Sequence, residues 1–337
     1  VMFAPYMLRI LGADPGVVAI GEGYLRIISL GMVPFFFMFV FMAILQGAGD
    51  SFTPNIVYVI STILNIILDP IMIFGIGMPA MGVPGAALAT VIAEIVAVVI
   101  GLEILLKGRS HIHIKLHHFI PDYSYIWRII KIGIPATAQM SLRSLMMVVF
   151  MGIVASFGTY AIAAYGVGMR LFMLTLVPGF ALANAAAALV GQNLGANKPE
   201  RAAASAWSAV FYYFIFSLVL TVLGYIFAPN LIRIFNNNPI VVDIGTQYIR
   251  IYVFGMLFAP FALILGRAMG GAGDTLSPLI ITFIALWIIQ IPVAVILSRM
   301  PAFGLNGIWI AMVFGSFVLA IISVFWFNMG KWKLKKV

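Results

Sequence analysis

Long apolar stretches alternate with short stretches that contain glycine, proline or charged residues along most of the chain. Each apolar block is about 20 residues long, the length at which an α-helix crosses the ~30 Å hydrocarbon core of a bilayer. The alternating ~10-residue segments of a membrane β-barrel are not visible. The pattern therefore predicts an all-α polytopic membrane protein with nine complete spans, preceded by the tail of another helix over residues 1–11. The predicted spans are residues 17–46, 54–76, 84–106, 124–156, 160–190, 199–235, 240–270, 277–299 and 305–330.

An internal repeat runs through this pattern. The segment Gly47-Ala48-Gly49-Asp50 returns 224 residues later as Gly271-Ala272-Gly273-Asp274, and the offset holds without a gap from residue 3 to residue 54. Beyond a two-residue deletion, Gly82 and Gly85 match Gly304 and Gly307. The offset spans six predicted helices, an even number, so the two copies have the same orientation in the membrane.

The repeat predicts two parallel six-helix bundles. We expect an N-terminal lobe over residues 1–106, a cytoplasmic linker over residues 107–123 and a C-terminal lobe over residues 124–337. The second copy contains helices that the first lacks, so we expect that about 110 residues precede this chain in a full protein of twelve helices.

Composition and charge support the membrane assignment. Hydrophobic residues make up 64% of the chain and charged residues 9%, far from the ~25% charged residues of soluble domains. The net charge of +9 does not indicate a nucleic-acid partner, because the cations cluster in alternate links between spans, as cytoplasmic loops do. We expect an inner (plasma) membrane protein with a cytoplasmic C-terminus. The clustered cations are Lys107, Arg109, Lys115, Arg128, Lys131, Lys198, Arg201, Lys331, Lys333, Lys335 and Lys336.

The strongest candidate for chemistry is Asp69, which lies in the middle of an apolar span with Asn65 one turn earlier. A carboxylate in hydrocarbon costs a few kcal/mol at least, so such a residue marks a functional site by default. Thr90 and Glu94 repeat the spacing on the next span. If the two helices face each other, one pocket holds two acids, and one of the acids binds a proton or a cation. The alternatives are a structurally hydrogen-bonded Asp69 and a Glu94 that points elsewhere.

Other embedded polar and soft residues have two interpretations each. Arg143 and Arg170 lie well inside spans, where they either neutralise the acids or satisfy helix-end carbonyls. Gln139, Met140 and Met147 are candidate substrate contacts because amide and thioether side chains adapt to varied ligands, although such a stripe also suits packing or lipid contact.

Several motifs indicate structure and not chemistry. The two Gly-Ala-Gly-Asp turns lack the preceding strand of a nucleotide site, and we expect Thr53 and Ser277 to cap the helices that follow. The His-rich segment HIHIKLHH over residues 111–118 lacks acidic partners and is expected to be solvated. Cysteine is absent, and no nucleophile with a histidine base can be assembled in the membrane, so we expect no enzyme and no cofactor.

The chain resembles the multidrug and toxic compound extrusion (MATE) family. The resemblance covers essentially the whole chain and is carried by LGADPGVVAIGEGYLRI, LQGAGDSFTP, LNIILDPIMIFG, GVPGAALATVIAE and VGQNLGANKPERAAA. It implies twelve helices in two lobes and an antiporter that exchanges cytoplasmic drug-like organic cations for Na⁺ or H⁺. It also implies that Asn65, Asp69 and Thr90 correspond to a cation-binding network of archaeal and related bacterial members.

Two departures from the family pattern accompany the resemblance. The first family helix, with an aspartate that joins this network, is absent here, and a glutamate that some members carry on the seventh helix is replaced in a neighbourhood that holds Gln139 and Arg143. We therefore expect ion coupling in the N-terminal lobe, with Asp69 as the ion site, Asn65 and Thr90 as supporting ligands and Glu94 as a partner.

The expected protein is a monomer that moves a small amphipathic organic cation by alternating access. The closest rival is a flippase for lipid-linked oligosaccharides, which a basic cleft fed by Arg143 and Arg170 favours. The rival from another class is a membrane scaffold or receptor that transports nothing and tolerates Asp69→Asn.

Overall fold

Apolar blocks of membrane-spanning length fold into helices throughout the computed structural model, which describes residues 5, 6, 8, 14–108, 112–114 and 120–335. The helices are α1 (Pro15–Leu30), α2 (Met32–Gly47), α3 (Phe52–Phe74), α4 (Val83–Lys107), α5 (Tyr123–Ala155), α6 (Thr159–Gly195), α7 (Pro199–Arg233), α8 (Pro239–Met256), α9 (Ala259–Gly271), α10 (Leu276–Thr282), α11 (Ile291–Arg299) and α12 (Leu305–Asn328). A π-helix, Phe283–Gln290, joins α10 to α11, and a 3₁₀ turn, Lys331–Leu334, follows α12.

The predicted spans are confirmed within the described residues. Seven helices are long and apolar enough to cross a membrane, and two bent pairs raise the number of spans to nine. The pair α1–α2 bends by 43° and the pair α8–α9 by 46°. The largest error was in the fifth span, predicted over residues 160–190, because α6 continues through Gly191 and ends only where Asn197 adopts a left-handed conformation at φ 57°.

Proline has different effects at different positions of the membrane helices. Pro34 and Pro260 lie in the first turn after the two bends. Pro135 and Pro178, by contrast, lie inside continuous helices. Pro292 opens α11, directly after the π-helix. The membrane helices therefore tolerate proline without a break at some positions and change direction near it at others.

The chain divides into two compact units, residues 1–121 and residues 122–337. In the first unit, α4 packs against α1, α2 and α3. Its contact face is built from small residues four apart, which lets neighbouring helix backbones approach closely. These residues are Gly85, Ala89, Ala93, Ala97 and Gly101, all buried.

The second unit holds α5 to α12 around three apolar clusters. The largest lies among α6, α7, α9, α12 and the helix that contains the π segment. A second cluster contains Tyr165, Tyr248 and Trp309 in mutual ring contact. The third joins α6, α7 and α8.

The repeat is visible in local contacts as well as in sequence. Gly31 lies against Val91 in the first unit, and Gly255 lies against Val313 at the corresponding place in the second.

The Gly-Ala-Gly-Asp turns also match, but the predicted caps are wrong. The carboxylates of Asp50 and Asp274 accept the backbone N–H of Thr53 at 3.0 Å and of Ser277 at 3.3 Å. The aspartate therefore closes each turn, because its short side chain reaches the free N–H groups of the next helix.

Candidate functional site

Asp69 and Asn65 lie on the face of α3 that meets α4. The two helices are antiparallel, and hydrogen bonds fix their register. The N–H of Met81, just before α4, donates to the carbonyl of Met72 at 3.0 Å, and the Ser61 hydroxyl donates to the carbonyl of Ala93 at 2.9 Å. This register brings Asn65 opposite Thr90.

Three half-buried polar side chains meet at this point. The Asn65 amide nitrogen donates to Asp69 Oδ1 at 3.4 Å and to Thr90 Oγ1 at 3.3 Å, and the Thr90 hydroxyl donates to the carbonyl of Ala86 at 3.0 Å. Both hydrogen bonds from the Asn65 amide are long for N–H···O hydrogen bonds, so the three side chains are only weakly held together. No cationic side chain among the described residues forms an ion pair with Asp69.

Pro70 directly follows Asp69 and changes the backbone hydrogen bonding of α3. It lies inside α3 and has no N–H, so the carbonyl of Ile66 loses its helical hydrogen-bond donor. A helix carbonyl points toward the residue four positions later, which here directly follows Asp69. The Asp69-Pro70 pair inside an apolar helix is the signal in the sequence that indicates such a carbonyl.

Glu94 does not join the hydrogen-bonded cluster. Its backbone lies next to Ala93, which is level with Ser61, and Ser61 is eight residues or about 12 Å along α3 from Asp69. Within the described part of the chain, Glu94 has no hydrogen bond or ion pair to Asp69, Asn65 or Thr90. The expected pocket of two acids is therefore a cluster around one acid, with Glu94 about two helical turns away in backbone position.

The three candidate substrate residues of α5 have unequal surroundings. The Gln139 amide nitrogen donates to the Pro278 carbonyl at 3.1 Å and to Thr282 Oγ1 at 2.9 Å, so it ties α5 to α10. Met140 is 69% exposed, and Met147 is half-buried. Of the Gln139 side-chain amide, the carbonyl oxygen remains available to a ligand.

Arg143 lies between Met140 and Met147 on one face of α5, since positions separated by three, four and seven residues share a helix face. It is half-buried, and Arg170 on α6 is exposed. Neither guanidinium has an ion-pair or hydrogen-bond partner among the described residues. Arg267 differs, because it donates to Asn184 Oδ1 at 2.7 Å.

The second unit shows the corresponding place with apolar residues at two of the three polar positions. Gly85 stands against Met72 in the first unit, and its repeat partner Gly307 stands against Leu297, which lies 225 residues after Met72. The offset rises from 224 to 225 across the π-helix, as expected if this helix accommodates one extra residue. With this alignment, Asp69 corresponds to Ala294.

Thr90 corresponds to Met312 by the 222-residue offset of Gly85 and Gly307. Ala294 and Met312 both belong to the buried apolar cluster that contains Trp309. The fold of this repeat therefore does not require polar groups at the Asp69 and Thr90 positions. Asn65 corresponds to Gln290, whose buried carbonyl oxygen has no partner among the described residues.

A metal centre is not suggested by the described residues, none of which form a group of three metal-ligating side chains. Three of the four histidines, His111, His117 and His118, lie outside the described residues, so the expectation for the His-rich segment stays a prediction.

The apolar helices of membrane-spanning length, their internal repeat and a carboxylate inside one of these helices define a multi-pass membrane protein of the kind that transporters form. The MatE family model matches residues 1–71 and 135–296 of the chain. The chain belongs to this family, whose members are membrane transporters and not enzymes.

Relatives agree with this assignment. The chain is 31% identical to the probable multidrug resistance protein NorM of Thermotoga maritima, over 93% of this chain and 68% of that protein. It is 28% identical to the probable multidrug resistance protein YoeA of Bacillus subtilis, over 100% and 73%. It is also 26% identical to the FAD transporter of Shewanella oneidensis, over 95% and 71%.

Solved structures have the same fold. An outward-facing multidrug resistance MATE transporter of the MOP superfamily matches with a TM-score of 0.88 and 26% identity, over 96% of this chain and 72% of that chain. A MOP superfamily transporter from Pyrococcus furiosus, described by a reverse polarity of its binding pocket that suggests a different function, matches with a TM-score of 0.90 and 26% identity, over 99% and 74%.

Proposed function

We propose that this chain is part of a cation-coupled antiporter that exports drug-like organic cations by alternating access, with Na⁺ or H⁺ as the coupling ion. The observation that carries the proposal is the hydrogen-bonded cluster of Asp69, Asn65 and Thr90 between two membrane helices. The names of the multidrug resistance relatives support the substrate class.

Asp69 is the proposed ion site because it is the one member of the cluster that changes charge. An ionised carboxylate at the centre of a membrane helix costs about 2.5–3.5 kcal/mol on insertion scales, and a bound proton or Na⁺ removes that charge. The side-chain oxygen of Asn65 and the backbone carbonyl oxygen of Ile66 are further candidate oxygen ligands. Na⁺ needs such ligands and a proton does not. Thr90 holds the Asn65 amide in place.

Ion binding drives transport only if it favours one conformation over the other. Bound H⁺ or Na⁺ at Asp69 favours the conformation that releases substrate outside, through a differential affinity for the two states. Glu94 is proposed as a secondary partner that approaches the cluster in one of these states. Met140, Met147 and the carbonyl oxygen of Gln139 are the proposed substrate contacts.

Counter-transport of a cationic dye in proteoliposomes tests the proposal, with an imposed Na⁺ or H⁺ gradient and the protein in its full natural length. We expect one of the two gradients to drive dye movement. Asp69→Asn should reduce that movement by at least about tenfold, because the neutral amide has no charge for a coupling cation to neutralise.

Asp274→Asn is the matched control, because Asp274 is a buried acid that accepts a hydrogen bond from the Ser277 hydroxyl of its own turn at 2.6 Å. It should lower thermal stability and leave the dependence on the gradient unchanged. The coupling model is wrong if Asp69→Asn transports as well as wild type. Absence of transport under either gradient would favour the scaffold or receptor reading.

A second candidate function is transport of an organic anion that contains phosphate. It is favoured by Arg143, an unpaired cation between Met140 and Met147, where it opposes a cationic substrate and attracts an anionic one. The FAD transporter among the relatives and the lipid-linked oligosaccharide flippase of the sequence analysis both fit this chemistry.

Arg143→Gln separates the two candidates. If the substrate is anionic, the variant loses uptake of a pyrophosphate-containing substrate and does not gain dye transport. If the substrate is a cation, the variant transports the cationic dye at least as well as wild type.

A further inference from the structure

Arg250 is an exposed arginine inside a membrane span of the second unit. It lies eleven residues after Pro239, the start of α8, and therefore about 16 Å along the helix axis. Its guanidinium lies 5.5 Å from the centre of the Tyr225 ring, and no carboxylate pairs with it among the described residues. An embedded cation of this kind needs an anionic partner or a polar cavity.

The repeat provides a direct comparison. Arg26 occupies the same position in the first unit, 224 residues earlier, and forms an ion pair with Glu22 one turn before it. In the second unit, the position of Glu22 is taken by Thr246, whose hydroxyl donates to the Val242 carbonyl at 2.6 Å. The second copy thus keeps the arginine and lacks its carboxylate.

Two grooves meet at Arg250. A polar groove of about 350 Å³ extends from it toward the start of α8 and includes Arg233, Asn237, Asp243 and Thr246. The one carboxylate there, Asp243, accepts a hydrogen bond from Gln247 at 3.0 Å. Two arginines against one aspartate leave the groove with an excess positive charge.

The second groove is open and apolar, with a volume of about 660 Å³. Arg250 lines this groove as well as the polar one. The groove is lined by residues of α7, α8 and α12 and by Phe258, which follows α8, and its aromatic side chains are Tyr225, Phe254, Phe258, Phe314 and Phe317. Several of these rings are more than two-fifths exposed, so in a membrane they contact lipid chains.

We propose that the paired grooves bind an anionic phospholipid of the leaflet next to the residue 234–238 connection. The lipid phosphate lies between Arg250 and Arg233, and an acyl chain occupies the aromatic groove. The side chain of a helical arginine points toward the helix N-terminus, so Arg250 extends toward the headgroup region where the phosphate resides. The excess positive charge suits a singly charged phosphodiester such as that of phosphatidylglycerol.

Native mass spectrometry of the full-length protein tests the site with phosphatidylglycerol and phosphatidylcholine of identical acyl chains. Wild type should bind the first phosphatidylglycerol at least about fivefold more tightly than phosphatidylcholine, the preference expected from roughly one additional basic contact. Arg250→Gln should remove most of this preference, and Arg250→Lys should keep most of it.

Two further variants use the repeat as a control. Thr246→Glu recreates in the second unit the ion pair of Glu22 with Arg26, and should abolish the preference without removing the arginine. Arg26→Gln should leave the preference unchanged. The proposal is overturned if Thr246→Glu and Arg250→Gln bind phosphatidylglycerol as wild type does. It is also overturned if glycerol phosphate without acyl chains competes as well as the lipid.

Discussion

The Thr90 hydroxyl positions the Asn65 amide by accepting one of its hydrogens while donating its own to the Ala86 carbonyl. Thr90→Val keeps the branched shape and removes both bonds, so the amide loses an acceptor within the membrane. We expect the half-saturating concentration of the coupling ion to rise about tenfold, since an unsatisfied buried polar group costs roughly 1–3 kcal/mol. Ion-dependent dye uptake measures the change.

Thr90→Ser is the control for this prediction, because it retains the hydroxyl. Its half-saturating ion concentration should stay within about threefold of wild type, given the sub-kcal effect expected when a hydrogen bond is kept. Equal ion dependence of Thr90→Val and wild type would exclude Thr90 from the coupling cluster.

At this scale, helical spacing alone predicted that Asn65 and Asp69 meet, because positions four apart always share a helix face. The contact of Thr90 with Asn65 and the distance of Glu94 depend on the register between α3 and α4. That register is fixed by backbone contacts at Met72 and Gly85, which no residue pattern states. The two bonds of Gln139 were likewise invisible, since they join residues 139 and 143 positions apart.

Among the elements, the α3–α4 pair depends on Gly85. A Cβ atom there would lie 2.6 Å from the Met72 carbonyl oxygen, so the two backbones must separate to accept a side chain. Gly85→Ala should destabilise the protein by about 1–3 kcal/mol, as overpacking does. Thermal unfolding in detergent measures the loss, and the separation should also weaken the contact of Asn65 with Thr90 and reduce ion affinity.

Two glycine variants act as controls for this element. Gly307→Ala meets Leu297 backbone at 2.6 Å in the second unit and should lose similar stability with unchanged ion dependence. Gly133→Ala meets nothing within 4 Å inside α5 and should be neutral or stabilising by up to about 1 kcal/mol. If Gly85→Ala matches Gly133→Ala, close packing at Gly85 does not limit the structure.

The helices themselves were predictable because a block of about 20 apolar residues in a chain this hydrophobic has few alternatives to a membrane helix. The interruptions within the helices were harder to predict. Proline lies near both bends and directly after the π-helix over Phe283–Gln290, but it also lies inside the continuous helices α5 and α6, so proline alone does not show where a helix is interrupted. The two-residue deletion read from the sequence is thus the sum of one residue gained in the π-helix and three lost in the following connection.

For the whole molecule, the ends of the helices define two sides. The 3₁₀ turn after α12 is tied to the start of α7, where Lys333 Nζ lies 2.8 Å from a Glu200 carboxylate oxygen. It shares that side with Lys198 and Arg201, so the positive-inside rule predicts a cytoplasmic C-terminus. A green fluorescent protein fused there should fluoresce, and an alkaline phosphatase fused there should be inactive. The reverse result would invert the proposed orientation.

The replacement of Asp69 and Thr90 by Ala294 and Met312 at equivalent places of the repeat has a consequence for how the two halves respond to random change. Gene duplication produces two copies of every helix. Here one copy has a titratable group at this place, and the other has apolar side chains that pack in a buried cluster. Saturation mutagenesis should therefore reveal two unlike rules at matching positions. In the first half, functional variants should retain polar or charged side chains at residues 69 and 90. In the second half, they should retain side-chain volume at residues 294 and 312, so the two formerly identical segments differ in what they tolerate.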